Sequence, residues 1–312
     1  MTLNFSDFRV DIMGAFVNAP TPLDFIWPGF LSGTVGTLFA PGATSKSFWA
    51  IQASIAVAGG EDTVGIEPGG HGRVVYLAAE DPKPILNHRL HAIGARLSPE
   101  GREAAGARVD LLSVVGAGLD LGDKAQRNDL IQYCAGARLV IIDTISRVHR
   151  LDENSNGEMA QLLMHLEVIA RQTGAAVLFL HHISKFALRA GDAGDQHAAR
   201  GAGALTDNAR MGAALSKMTS DEAELLIDRD LGAVVPVGPD DRARYVRMSI
   251  PKNNYSAPIA NRWYRRDVGG VLTPVDLTDT EKMAEIKKGA KAYAEASGHG
   301  ETDEGWTNVA PF

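Results

Sequence analysis

Short apolar runs, each ending in polar residues and followed by a stretch of helical period, recur through the first two thirds of this chain. Residues 34–39, 73–79, 138–143 and 175–182 are runs of this kind. They are too short for a helix and show no alternation, as strands buried on both faces of a parallel sheet require. Residues 110–114 read as a weaker strand. Residues 47–58, 84–95, 124–135 and 157–172 read as helices; Gly59 and Gly60 stop the first, and Pro82 suits the start of the second. From Arg210 onward the pattern changes to successive strands at 210–218, 244–251, 261–266 and 270–274. The chain therefore predicts an α/β fold, a mostly parallel sheet flanked by helices and extended by antiparallel C-terminal strands.

The ends read differently. Pro20, Pro22 and Pro28 interrupt regular structure, so residues 1–27 are expected to be an N-terminal arm packed on the core. The main domain is expected over 28–276. Residues 277–312 are expected to hold one polar helix and an acidic, disordered tail. A loop as long as 183–203, rich in Gly, Ala and charge, is usually functional or mobile in a compact fold.

Composition narrows the class. With 312 residues, 45% of them hydrophobic, the chain can bury a large core. Its single cysteine, Cys134, excludes an internal disulfide framework and suits a reducing cytoplasm. Residues 1–17 lack the charged-then-apolar pattern of an export signal, and no apolar run approaches the ~20 residues of a membrane span. A net charge of −7 argues against nonspecific nucleic-acid binding by the whole surface. It leaves room for a local basic loop, where Lys185, Arg189, Arg200 and Arg210 outnumber Asp192, Asp195 and Asp207.

The junction after the first apolar run holds the chemistry. Ala40-Pro41-Gly42-Ala43-Thr44-Ser45-Lys46-Ser47 passes from strand to helix through small residues and ends in Lys-Ser. Backbone N–H groups of such a loop converge on a phosphate at a helix N-terminus, with the lysine on the outer phosphates and the serine on magnesium. Against the pattern G-x-x-x-x-G-K-[ST], the first glycine is Ala40 and the second is Ser45. The competing reading is an ordinary strand-to-helix turn with a solvated lysine.

Other strand ends add Glu80 and Asp81, Asp143, and His181 and His182. In an open α/β sheet such residues share a crevice beyond the carboxyl ends of the strands. Together they fit nucleoside triphosphate hydrolysis: Asp143 for magnesium, Glu80 to polarise the attacking water, a histidine to report the outer phosphate. Each also has a structural reading. Asp143 or Glu80 can cap a helix, as Asp81 before Pro82 is expected to do, and the histidine pair suggests a metal, though adjacent strand residues point to opposite faces.

The order of these motifs resembles the RecA-like ATPases and, within them, the RepA replicative DNA helicase family of IncQ-type plasmids. The resemblance rests on Gly33-Thr-Val-Gly36, Tyr76-Leu-Ala-Ala-Glu-Asp-Pro82, His88-Arg-Leu-His-Ala-Ile-Gly94, Ile142-Asp-Thr144 and Phe179-Leu-His-His182 with Ser184-Lys185. Further matches are Arg200-Gly201, Asp207-Asn208, Lys252-Asn-Asn-Tyr255 and Arg262-Trp-Tyr-Arg-Arg266. It implies ATP with Mg2+ as cofactors, single-stranded DNA as partner, and a homohexameric ring with ATP between subunits. It further implies an arginine finger from a neighbour, Arg210 first and Lys252 second, either of which can instead be a surface cation. Arg89 and Tyr255 are the candidates to sandwich the adenine, with Tyr255 as a core residue the alternative. Lys185, Arg189 and Arg200 would touch DNA in the ring channel. The expected activity is an ATP-dependent DNA helicase or translocase. A recombination or regulatory ATPase that does not unwind, or a nucleotide-binding DNA scaffold with a degenerate loop, are the competing readings.

Overall fold

The computed structural model describes residues 4–182, 205, 208–233 and 235–280. Strands β1 (Phe25–Trp27) and β2 (Phe30–Leu31) form an antiparallel hairpin. They are followed by β3 (Val35–Ala40), β4 (Val74–Ala78), β5 (Val109–Ser113), β6 (Leu139–Asp143), β7 (Ala176–His182) and β8 (Met211–Lys217). The later strands are β9 (Leu226–Asp228), β10 (Tyr245–Asn253), β11 (Arg262–Arg266), β12 (Leu272–Val275) and β13 (Leu277–Asp279). The helices of six residues or more among the described residues are α1 (Ile12–Val17), α2 (Lys46–Ala58), α3 (Lys83–Gly94), α4 (Pro99–Arg108), α5 (Lys124–Tyr133), α6 (Asn156–Thr173) and α7 (Ser220–Leu225).

One sheet runs β12-β11-β10-β8-β3-β7-β6-β4-β5. Its pairs from β8 to β5 are parallel, and β8-β10, β10-β11 and β11-β12 are antiparallel, as the pattern predicts. Strands β3, β4 and β6 are buried at every position, which explains their unbroken apolar runs. Alternation still sorts their side chains: Leu139 and Ile141 pack with α2, while Val140 and Ile142 pack with Leu162 and Leu166 of α6. Helix α2 is apolar nearly all round because it lies between the sheet and α4.

Four expectations change. The arm is not packed on the core: no residue of α1 is buried, and Phe5 and Phe16 are 79% and 76% exposed. The folded body begins before residue 28, since Ile26 and Trp27 are buried and Trp27 meets Trp49 edge-on at 5.9 Å. It also continues past 276, where β13 pairs with β9. Helix α4 has no apolar stripe, so periodicity does not reveal it; Ser98 caps it through a bond to the Gly101 N–H at 3.0 Å. The polar helix and tail expected over residues 281–312 lie outside the described residues.

Candidate active site

Pro41 ends β3, and the loop to α2 turns through two left-handed residues, Ala43 (φ 59°) and Ser45 (φ 66°). Thr44 is buried and its hydroxyl donates to the Pro41 carbonyl at 2.8 Å, which ties the loop to its own start. Ser45 occupies the position the glycine pattern reserves for positive φ, and it adopts that conformation despite its Cβ. Its carbonyl accepts the first helical bond, from Trp49 at 3.0 Å. No side chain caps α2, so the first N–H groups of the helix are left to whatever enters the cleft.

Lys46 is 5% exposed and its ammonium reaches the carbonyls of Ala40 at 3.1 Å and Pro41 at 3.3 Å, and His182 Nδ1 at 3.0 Å. It is not a solvated lysine. Burial pushes its pKa down to about 8, against the opposing pull of Asp143 and Glu80.

Strand β7 lies between β3 and β6, with His182 paired in register with Ala40. That order places His182 between the lysine and the acidic residues. Its Nε2 lies 3.4 Å from Glu80 Oε2, so Lys46, His182 and Glu80 form one chain. With Lys46 donating to Nδ1, a neutral His182 carries its proton on Nε2 and donates to Glu80. Glu80 Oε1 accepts from the Thr144 hydroxyl at 3.3 Å and meets Arg147 Nε at 3.5 Å.

Asp143 is 3% exposed. Burial drives its carboxyl above the ordinary value, while hydrogen bonds from Tyr76 and Ser47 pull it back. The Tyr76 hydroxyl donates to Oδ2 at 2.7 Å, and burial first, then Asp143, raises that phenol well above its normal range. Asp143 is therefore no helix cap but a desolvated carboxylate beside the Ser47 hydroxyl.

Lys46, Ser47, Glu80, Asp143 and His182 line an open cleft of about 630 Å³ with Ala43, Thr44, Ser45, Phe48, Arg89 and Arg266. Sequence reasoning missed several of its supports, namely Tyr76, Thr144, Arg147, Phe48 and Arg266. Arg266 donates to the Ala43 carbonyl at 3.2 Å, and its Nε has no hydrogen-bond partner among the described residues. The signal for it was the alternation of Arg262, Tyr264 and Arg266 on one face of β11, where Tyr264 is buried against Trp49 of α2 at 3.2 Å.

The other candidates sit elsewhere. His181 points to the opposite face from His182; burial pushes it down to about 4, and its Nδ1 lacks a partner among the described residues. It does not enter the cleft, and the pair cannot share a metal. Arg89 reaches the cleft, paired with Asp81 at 2.7 Å and lying 5.3 Å over the Phe48 ring. Asp81 thus pairs with Arg89 rather than capping α3, whose N-terminus has no side-chain cap.

Arg210 lies at the other end of the sheet. Its N–H donates to the carbonyl of Val35, and from there to Ala40 the strand runs ~16 Å. Lys252 pairs in register with Gly212, and Asn254 N–H bonds to the Arg210 carbonyl, so Tyr255 belongs to that same end. Arg89 and Tyr255 are therefore not brought together within one chain. Lys185, Arg189 and Arg200 lie outside the described residues.

The cleft is chemically unbalanced as it stands. Asp143 is a buried carboxylate beside a serine hydroxyl, which suits a hard cation; Lys46, the unpartnered Arg266 Nε and the uncapped α2 suit phosphate oxygens. A magnesium–nucleotide complex fits both demands.

A family model described as an AAA domain matches residues 2–187. A solved ATPase domain superposes with a TM-score of 0.54 at 13% identity, covering 88% of this chain and 99% of that one. The RadB recombinase gives a TM-score of 0.47 at 16% identity, covering 77% and 90%. The sheet order and the superposition on the solved ATPase domain define a RecA-like P-loop NTPase fold. Because the family match spans well over half of its 312 residues, this chain belongs to the AAA domain family.

Proposed function

We propose that this protein is an ATP-hydrolysing motor on single-stranded DNA, a helicase of the RepA plasmid-replication type that works in the cytoplasm as a homohexameric ring. The observation that carries the reading is the convergence of Lys46, Ser47, Glu80, Asp143 and His182 from four separate strand ends on one cleft. The α2 N-terminus and Pro41–Ser47 loop bind the phosphates, and Lys46 stabilises charge on the outer ones. Ser47 and Asp143 would hold magnesium, which would neutralise phosphate charge when bound. Glu80 takes the proton of the attacking water, and His182 links it to Lys46.

Arg210, with Lys252 as second candidate, serves the cleft of the neighbouring copy, where a cation stabilises transition-state charge. Its distance from its own cleft supports a role in trans. Tyr255, at the same end, joins Arg89 of the neighbour around the base. Lys185, Arg189 and Arg200 contact the DNA backbone.

The test is ATP turnover with and without single-stranded DNA, alongside strand displacement and solution mass. Lys46→Ala should abolish turnover, and Glu80→Gln should retain nucleotide binding while losing hydrolysis. Unchanged turnover in Lys46→Ala would remove the phosphate-loop assignment.

A further inference from the structure

Both carboxylate oxygens of Glu80 are occupied. Oε2 faces His182 at 3.4 Å, and Oε1 meets the Thr144 hydroxyl at 3.3 Å and Arg147 Nε at 3.5 Å. A carboxylate paired in this way is held in one orientation, because each donor engages one of its lone pairs. The restraints differ in where they lead. His182 leads inward to Lys46, whereas Arg147 leads outward: its side chain is 65% exposed, against 33% for Glu80.

Arg147 ends the short 3-10 turn Ile145–Arg147 directly after β6, and its N–H returns to the Thr144 carbonyl. Arg150, three residues on, is 81% exposed and reaches Asp120 at 3.5 Å. The turn and the residues after it therefore present Arg147 and Arg150 to solvent beyond the carboxyl end of β6.

We infer that Arg147 is a positioning residue that couples DNA to hydrolysis: it restrains Glu80 until a phosphate of the single strand draws its guanidinium away. The planar fork suits phosphate as well as carboxylate, so one side chain can exchange partners without leaving the surface. Glu80 Oε1 then keeps only the Thr144 hydroxyl as a partner, and the lone pair that faced Arg147 is free for the attacking water. The inference rests on the reading of Glu80 as general base and of single-stranded DNA as effector.

An exposed ion pair of this kind shifts a population by about 1.4- to 5-fold. Arg147→Ala should therefore raise DNA-free ATP turnover by about that factor and lower the poly(dT) stimulation ratio correspondingly. Arg147→Lys should restore most of the ratio, since a cation still reaches Glu80. In a separate binding measurement, Arg147→Ala should reduce the slope of log affinity for poly(dT) against log salt by about 0.7, the loss of one phosphate contact.

Equal loss of DNA-free and DNA-stimulated turnover in Arg147→Ala, unrescued by lysine, would make the residue structural and overturn the inference. So would a wild-type stimulation ratio with an unchanged salt slope. If the wild-type protein itself shows no turnover with or without poly(dT), the reading of the whole cleft fails and the coupling with it. Failure of the coupling alone leaves wild-type turnover and its stimulation intact.

Discussion

Replacing Lys46 with methionine separates the electrostatic strain of this cleft from its chemistry. The side chains have similar length, and Lys46 is 5% exposed. Burial lowers its pKa from 10.5 to about 8, which at 1.36 kcal/mol per pH unit disfavours the charged folded form by about 3 kcal/mol. The sign follows from proton counting. Between pH 8 and 10.5 the unfolded chain binds more protons at this lysine than the folded one, so its cost is full below pH 8 and disappears as pH rises toward 10.5. From pH 7 to 9.5 the wild-type protein should gain about 2 kcal/mol relative to Lys46→Met. The carbonyls of Ala40 and Pro41 lose their donor in the variant, adding an offset that does not depend on pH. Urea unfolding of both proteins, followed by circular dichroism across that range, measures the difference. A gap constant with pH, or one that moves the other way, would refute the burial argument.

Further outcomes follow from the same geometry. Ser45→Gly removes a Cβ from a left-handed position where no side-chain cap bond is lost, so after the extra unfolded-state entropy of glycine it should raise stability by up to about 1 kcal/mol in denaturant melts. A loss of stability would mean that Ser45 makes a contribution its geometry does not show. Tyr76→Phe deprives Asp143 of a donor at 2.7 Å, and should cost about 1.5–3 kcal/mol at neutral pH. Because burial already raises the Asp143 carboxyl, that deficit should shrink as pH falls through its folded pKa and the group becomes neutral; a deficit that grows in acid would contradict this. Mixing Arg210→Ala with Lys46→Ala subunits should restore part of the ATP turnover, since some interfaces then combine an intact loop with an intact arginine. No recovery from intact mixed assemblies would count against action in trans.

The N-terminal arm shows where pattern and structure separate. Its prolines identify it as irregular, but they say nothing about whether Phe5, Phe8 and Phe16 find a surface, and in the folded chain they are exposed. The adjoining hairpin was hidden by the same prolines, although the tilted rings of Trp27 and Phe30 meet at 4.9 Å within the core. Helix α4 was hidden for the opposite reason: only Gly101 is buried and Ala105 is half-buried against the core, too little for an apolar stripe, and Ser98 caps its start.

What the sequence determined by itself was the set of buried strands and the polar residue expelled at each carboxyl end. Strands covered on both faces must be continuously apolar, so the first polar residue after each run marks the edge of the sheet where ligands bind. The order of strands, by contrast, is a tertiary property, because pairing is satisfied by any apolar neighbour of matching length. Only the folded chain puts β7 between β3 and β6, joining Lys46 to Glu80 through His182. Only it brings Tyr76 under Asp143 and Arg266, more than two hundred residues away along the chain, onto Ala43. The same order sends Arg210 and Tyr255 to the far end of the sheet, because Arg210 pairs with the start of β3 and not with its end.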